Sequence, residues 1–167
     1  FGEYSAVELI DKYDNLVVTQ TFSKSRSMAG MRVAAAFANP YLISYMDAVK
    51  DSYNSYPMDS IAIQTGIASI KDKAYFEDTV AKIIATRERT ANQLKKLGFM
   101  VLDSSTNFLF ASHSKHNAKD IFEYLKSKNI FIRYFNKPRI ENYLRITIGT
   151  DEEMNAFLKA VKEYLGD

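Results

Sequence analysis

One helical repeat divides this chain and limits what it can fold into. From Lys73 to Leu97, the residues Phe76, Val80, Ile83, Ile84, Arg87, Thr90, Ala91 and Leu94 recur at helical spacing, and Gly98 supplies a stop. A helix of that length separates two groups of strands. Ahead of it the sequence reads as α/β material with two strands. Behind it the pattern is an α+β lobe of about four strands with helices on one face. The boundary is expected at residues 72–80, with lobes over 1–75 and 76–167.

In the first lobe, residues 4–13 carry Val7, Leu9 and Ile10 in an amphipathic pattern, with Ser5 as N-cap. Asn15-Leu16-Val17-Val18-Thr19-Gln20 reads as a buried strand and Val33-Ala34-Ala35-Ala36-Phe37-Ala38 as a second. Asn39 at the cap and Pro40 in the first turn open a helix over 41–50. Residues 51–57 form a polar, aromatic loop, and 58–70 a helix of small and apolar residues packed on a sheet. In the second lobe, residues 99–102 and 107–111 read as strands around a Ser-Ser-Thr turn, and 118–128 as a helix capped by Asn117. Residues 130–135 and 143–148 are further strands. Asp151 caps a final helix to Leu165, whose first turn holds Glu152 and Glu153.

With 167 residues, of which 47% are hydrophobic, the chain can bury a core as one domain or two small lobes. A net charge of +2, with no basic stripe interleaved with aromatics, argues against a nucleic-acid partner. The absence of cysteine excludes disulfides and thiolate metal sites, and fits an intracellular protein. No apolar run is long enough for a bilayer span and no signal peptide is read, so no membrane is expected. The chain opens on Phe1-Gly2-Glu3 without methionine, partway into a loop, and is expected to be a piece of a longer protein. His113 and His116 lie in a polar turn and read as surface loop, with no third metal ligand in view. No Ser-His-Asp set and no GxGxxG loop is present.

The polar stretch between the first two strands carries the chemistry: Thr21-Phe22-Ser23-Lys24-Ser25-Arg26-Ser27-Met28-Ala29-Gly30-Met31-Arg32. A lysine at a strand end can reach a cleft where burial or a neighbouring cation lowers its pKa and leaves an unprotonated amine. The serines and Arg32, eight residues after Lys24, are what a phosphate monoester needs: neutral donors and a forked cation. The residues alone define a phosphate-loop candidate, and a solvated connector fits them as well. Arg133 and Arg145 stand in otherwise apolar strands. They either point to solvent, as alternate strand residues do, or converge on an anion and bind it bidentately.

The pattern Thr-x-Ser-Lys-x-x-x-x-Ala-Gly-x-Arg resembles the cofactor loop of fold type I pyridoxal-phosphate aminotransferases, and its wording is similar to the histidinol-phosphate branch. The resemblance implies that Lys24 carries pyridoxal 5'-phosphate covalently and moves the proton. By the same resemblance Thr21, Ser23 and Arg32 hold the cofactor phosphate. Asn-Tyr-Leu-Arg-Ile-Thr-Ile-Gly-Thr resembles the family segment whose arginine grips the substrate, which implies that Arg145, and Arg133 from the preceding strand, bind the substrate's phosphate and carboxylate ends. Asn107 and Tyr56 either approach the site or belong to ordinary loop packing. One departure is Ala34, where the family often has glycine. The implied protein is a cytoplasmic homodimer of histidine biosynthesis, moving an amino group between a small-molecule amine and a 2-oxo acid. The fold class implied is α/β: the end of a large cofactor domain over 1–75, then an α+β small domain over 76–167. The family's Asp-x-Ala-Tyr segment, which serves the cofactor ring, would precede Phe1, so this chain alone is expected to be inactive. Two other readings stand beside this one. The first is an aminotransferase of the aromatic or threonine-phosphate type, and the second a non-catalytic α+β interaction module.

Overall fold

The computed structural model describes residues 1–2 and 4–166; Glu3 of the expected opening loop lies outside them. The chain separates into two compact units, Gly2–Asp78 and Thr79–Asp167, and the architecture is mixed α/β.

In the unit Gly2–Asp78, a short 3-10 turn over Ala6–Leu9 replaces the expected longer helix; Ser5 caps it by accepting from the Val7 N–H at 3.2 Å. Strands β1 (Val17–Thr21) and β2 (Ala34–Ala38) pair antiparallel, from Val17 opposite Ala38 to Thr21 opposite Ala34. β1 is not buried as its composition suggests: only Val18 is half-covered. Branching at Cβ favours extended backbone whether or not a second layer exists, so the composition reported the strand and not its burial. Helix α1 (Pro40–Tyr53) is capped by Asn39 Oδ1, which accepts from the Tyr41 N–H at 2.9 Å. It continues into the expected loop and ends at Asn54. Helix α2 (Ser60–Lys71) is capped by Asp59, and only its Ala62 and Gly66 are buried. It packs on the Met28–Val33 segment and not on a sheet face: Met28, Val33 and Ala62 form a small core with Phe22 and Met31 around it. A Cβ on Gly66 would stand 3.8 Å from Val33 Cγ1.

Helix α3 (Lys73–Lys96) follows, with Asp72 Oδ1 accepting from the Tyr75 N–H at 3.2 Å. Gly98, at φ +84°, ends it in the left-handed region that glycine adopts without a steric penalty. A side chain there would also meet His113 Nε2 at 2.9 Å.

The unit Thr79–Asp167 is built on a four-stranded sheet in the order β3-β4-β6-β5, with every pair antiparallel. Its strands are β3 (Phe99–Val101), β4 (Phe108–His113), β5 (Arg133–Tyr134) and β6 (Leu144–Thr147). Register sets Leu109 opposite Ile146 and Ala111 opposite Leu144, and these four line one face. Against them lie Ala91 and Leu94 of α3, Ile121 and Leu125 of α4 (Ala118–Ser127), and Met154, Phe157, Leu158 and Val161 of α5 (Asp151–Leu165). β5 is shorter than the expected strand over 130–135. Asn129 has φ +59°, and Ile130 still donates its N–H to Leu125 O at 2.9 Å, closing α4 instead of joining the ladder.

Thr150, not Asp151, caps α5. Its hydroxyl accepts from the Glu153 N–H at 3.3 Å while Glu153 Oε2 accepts from the Thr150 N–H at 2.8 Å, a reciprocal capping box. Asp151 instead accepts from Thr86 Oγ1 at 2.9 Å and Arg89 Nη2 at 2.8 Å, tying α5 to α3. Those two bonds, Arg89's first, hold the Asp151 carboxyl below its ordinary pKa.

His113 also departs from expectation. It is buried, its Nδ1 accepts from the Lys115 N–H at 3.1 Å, and its Nε2 lies 3.1 Å from Leu97 O. An Nδ1 that accepts leaves the proton on Nε2, so the ring is the neutral tautomer donating to Leu97. Burial is the largest cause of its depressed pKa; the Leu97 bond opposes it, and His116 and Lys115 add to it.

Candidate functional site

The residues singled out in the sequence fall into two groups, one in each unit. In Gly2–Asp78 the group is the loop joining β1 to β2. The ladder continues one step past Thr21 and Ala34, with Phe22 donating its N–H to Val33 O at 3.0 Å. That Phe22–Val33 step is the neck of the loop, from which the chain leaves at Ser23 and to which it returns after Arg32. Above the neck the chain turns on itself: Ser27 N–H donates to Lys24 O at 3.1 Å and Met28 N–H to Phe22 O at 3.1 Å. A 3-10 turn over Ala29–Met31 returns it to β2.

Thr21 Oγ1 accepts from the Ser23 N–H at 3.2 Å and keeps its own O–H to donate. Arg32 has φ +57° and Ser27 φ +55°, a left-handed conformation that costs a residue with a side chain about 1–3 kcal/mol and concentrates at functional sites. The Arg32 guanidinium donates through Nη1 to Ala29 O at 2.8 Å, its one hydrogen bond among the described residues, and a guanidinium has four further N–H donors. Lys24 is exposed, not buried, so its side chain stands at the loop surface. The donor set of two hydroxyls, a guanidinium and a primary amine within one tight loop fits a phosphate ester that also carries a carbonyl.

The sequence reading missed Arg26. Its Nη1 donates to the backbone oxygen of Ser69 and lies 3.5 Å from Ser69 Oγ, while its Cζ is 4.1 Å from the Phe76 ring centre and 5.6 Å from that of Phe22. No spacing links residues 26, 69 and 76; only the fold brings them together.

In Thr79–Asp167, Arg133 of β5 and Arg145 of β6 are directly opposite one another. Both are exposed on the sheet face away from the core. Arg145 Cζ lies 5.6 Å from the Phe108 ring centre and 5.9 Å from that of Phe135, and Arg133 Cζ lies 5.4 Å from Phe135. Phe110 stacks on Tyr143 at 4.6 Å beneath the same face. Among the described residues neither arginine has a carboxylate partner. Like charges directly opposite destabilise a ladder, and a bound anion relieves that repulsion. Asn107 is half-buried in this unit and its carbonyl accepts from the Ile148 N–H at 2.9 Å; Tyr56, in the other unit, is exposed. Among the described residues no group of three His, Asp or Glu side chains is placed to hold a metal.

Comparison with known proteins places these two groups in context. The family model for aminotransferase class I and II matches residues 1–161. The chain belongs to that family. It is 51% identical over 163 residues to a histidinol-phosphate aminotransferase of Acinetobacter baumannii (strain SDF), covering 98% of this chain and 45% of that protein. It is 52% identical over 165 residues to the enzyme of the same description from Lactococcus lactis subsp. cremoris (strain SK11), covering 99% and 46%. Among solved structures, the histidinol-phosphate aminotransferase of Sinorhizobium meliloti in complex with pyridoxal-5'-phosphate superposes with a TM-score of 0.84 at 29% identity, over 96% of this chain and 44% of that one. The chain therefore spans a little under half the length of the curated relatives it matches.

Proposed function

We propose that this chain is the C-terminal part of a pyridoxal-phosphate aminotransferase that moves an amino group between histidinol phosphate, or a related amine, and 2-oxoglutarate. The reading rests above all on the Lys24 loop, where one short connection between the paired strands β1 and β2 carries Thr21, Ser23, Lys24 and Arg32. In this reading Gly2–Asp78 is the end of the large cofactor domain and Thr79–Asp167 the small domain. The whole protein acts as a homodimer in the cytoplasm, in histidine biosynthesis. Among the described residues no helix is long and apolar enough to cross a membrane.

Thr21, Ser23 and Arg32 hold the cofactor phosphate: the hydroxyls donate single bonds, and Arg32 supplies charge and a second donor beside the one it spends on Ala29. Lys24 would hold the cofactor through its side-chain amine, and its Nζ would be the group that takes up and returns the substrate's proton. The cofactor, when bound, would supply an electron sink. Arg133 and Arg145 take the anionic ends of the substrate, and Phe108 and Phe135 support their guanidinium planes.

Borohydride reduction of the full-length protein with pyridoxal 5'-phosphate, followed by peptide mapping, tests the assignment. Label on Lys24 is expected, with none after Lys24→Ala; label confined to other lysines overturns it. Arg145→Ala and Arg133→Ala should each raise KM for histidinol phosphate by roughly tenfold or more, as loss of a charge-assisted bond implies. Comparing rates on histidinol phosphate, phenylalanine and threonine phosphate fixes the preferred amine.

A further inference from the structure

We infer that Arg26 is a positioning residue: it locks the outer half of the Lys24 loop and thereby sets where the Lys24 amine stands against the cofactor. The inference rests on the reading of Lys24 given above.

The loop has two halves held in different ways. Residues 28–33 are anchored by burial, since Met28 and Val33 pack with Ala62, flanked by Met31. Residues 23–27, which carry Lys24, have no buried side chain. Their backbone bonds are local: Ser23 to Thr21, and Ser27 to Lys24. Such a turn can pivot about its neck without breaking either bond. In this half, Arg26 is the side chain that reaches another element. Its bond to Ser69 spans 43 residues.

The Arg26 clamp uses two properties that only a guanidinium combines. Ser69 is in the last turn of α2, where backbone carbonyls lack helical partners and the helix dipole favours a cation. Arg26 donates in its plane to that carbonyl, and lays its face on Phe76 in the first turn of α3 at 4.1 Å. Lysine can supply the charge but not the in-plane bond and stacked face together. One side chain two residues from Lys24 therefore ties the loop to the α2–α3 junction.

The test uses full-length protein loaded with pyridoxal 5'-phosphate, comparing Arg26→Lys, Arg26→Met, Phe76→Leu and Ser69→Ala. Arg26→Lys and Arg26→Met should lower kcat by roughly tenfold to a hundredfold with KM for the amine nearly unchanged, the signature of a displaced group and not of lost binding. The pH midpoint of the cofactor's absorbance change should shift in the same two variants, which a purely structural residue would leave alone. Phe76→Leu keeps both Ser69 bonds and should give a smaller shift, so it serves where Arg26→Met fails to fold. Ser69→Ala keeps the accepting carbonyl and should resemble the unsubstituted protein. Wild-type kcat and absorbance midpoint in Arg26→Lys and Phe76→Leu overturn the role of Arg26 while Lys24 stays labelled. Absence of borohydride label on Lys24 in the unsubstituted protein overturns the Lys24 reading itself, and this inference with it.

Discussion

The two units of this chain have similar apolar patterning and very different interiors. In Thr79–Asp167, Leu94, Leu109, Ile121, Leu125, Leu144, Ile146 and Val161 are each under 2% exposed, closed between one sheet face and three helices. In Gly2–Asp78 the buried apolar side chains are Met28, Val33 and Ala62, while Ile61, Ile67 and Ile70 are 70%, 41% and 56% exposed. An apolar stripe states that an element has a face to cover. Whether it is covered depends on a second layer being present. The candidate cofactor loop belongs to the unit with the smaller interior: its Met28 and Val33 are part of that interior, while its Lys24 half is held by polar ties and by Arg26.

The contrast can be broken most sharply by truncation. Leu125→Ala, at a fully buried site, should cost about 2–5 kcal/mol in urea unfolding. Ile67→Ala, half-exposed on α2, should cost under about 1 kcal/mol. Equal costs would mean that the two interiors are not different in kind. Next in size is Arg87→Met. Arg87 is buried in α3 and donates through Nη1 to Thr106 O at 2.8 Å, so the variant leaves a part-buried carbonyl unpaired and should lose about 1–3 kcal/mol. Thr150→Ala removes one arm of the α5 capping box and should lose about 1 kcal/mol, seen as faster amide exchange in the first turn of α5.

The smallest expected effect is a pH dependence from His113. Its pKa is lower folded than unfolded, so the unfolded chain binds the extra proton first. The contribution is complete above the ordinary value of 6.5 and is lost as pH falls through the lower folded value. Calorimetry below pH 6.5 should show a drop in melting temperature that His113→Gln reduces. A drop of unchanged size in the variant would assign it elsewhere.

Much of the fold was legible because local chemistry and tertiary structure agree. Asn39 and Asn117 cap the helices they precede, and Gly98 stops α3 where a left-handed residue is required. The cap of α5 was read one residue late, although Thr150 stands three before Glu153, the spacing of a capping box. His113 looked solvated because its neighbours in sequence are polar. Its neighbours in space are Phe99 at 4.9 Å and the turn after α3. In the candidate site, spacing drew attention to Ser23, Lys24 and Arg32, and strand alternation to Arg133 and Arg145. Arg26 was invisible, since its partners lie 43 and 50 residues away and neither is of a type that announces a cation.

The Arg133–Arg145 pair has a practical consequence. Two guanidinium groups set opposite one another, with no carboxylate partner among the described residues, are open to whatever oxyanion the solution contains. Sulfate or phosphate buffer is expected to settle there and steady the lobe and, if the proposed role of the pair holds, to compete with an acidic substrate. A tertiary-amine buffer with chloride as counter-ion, free of sulfonate and carboxylate as well as of sulfate and phosphate, is the sensible starting point for any kinetic work on it.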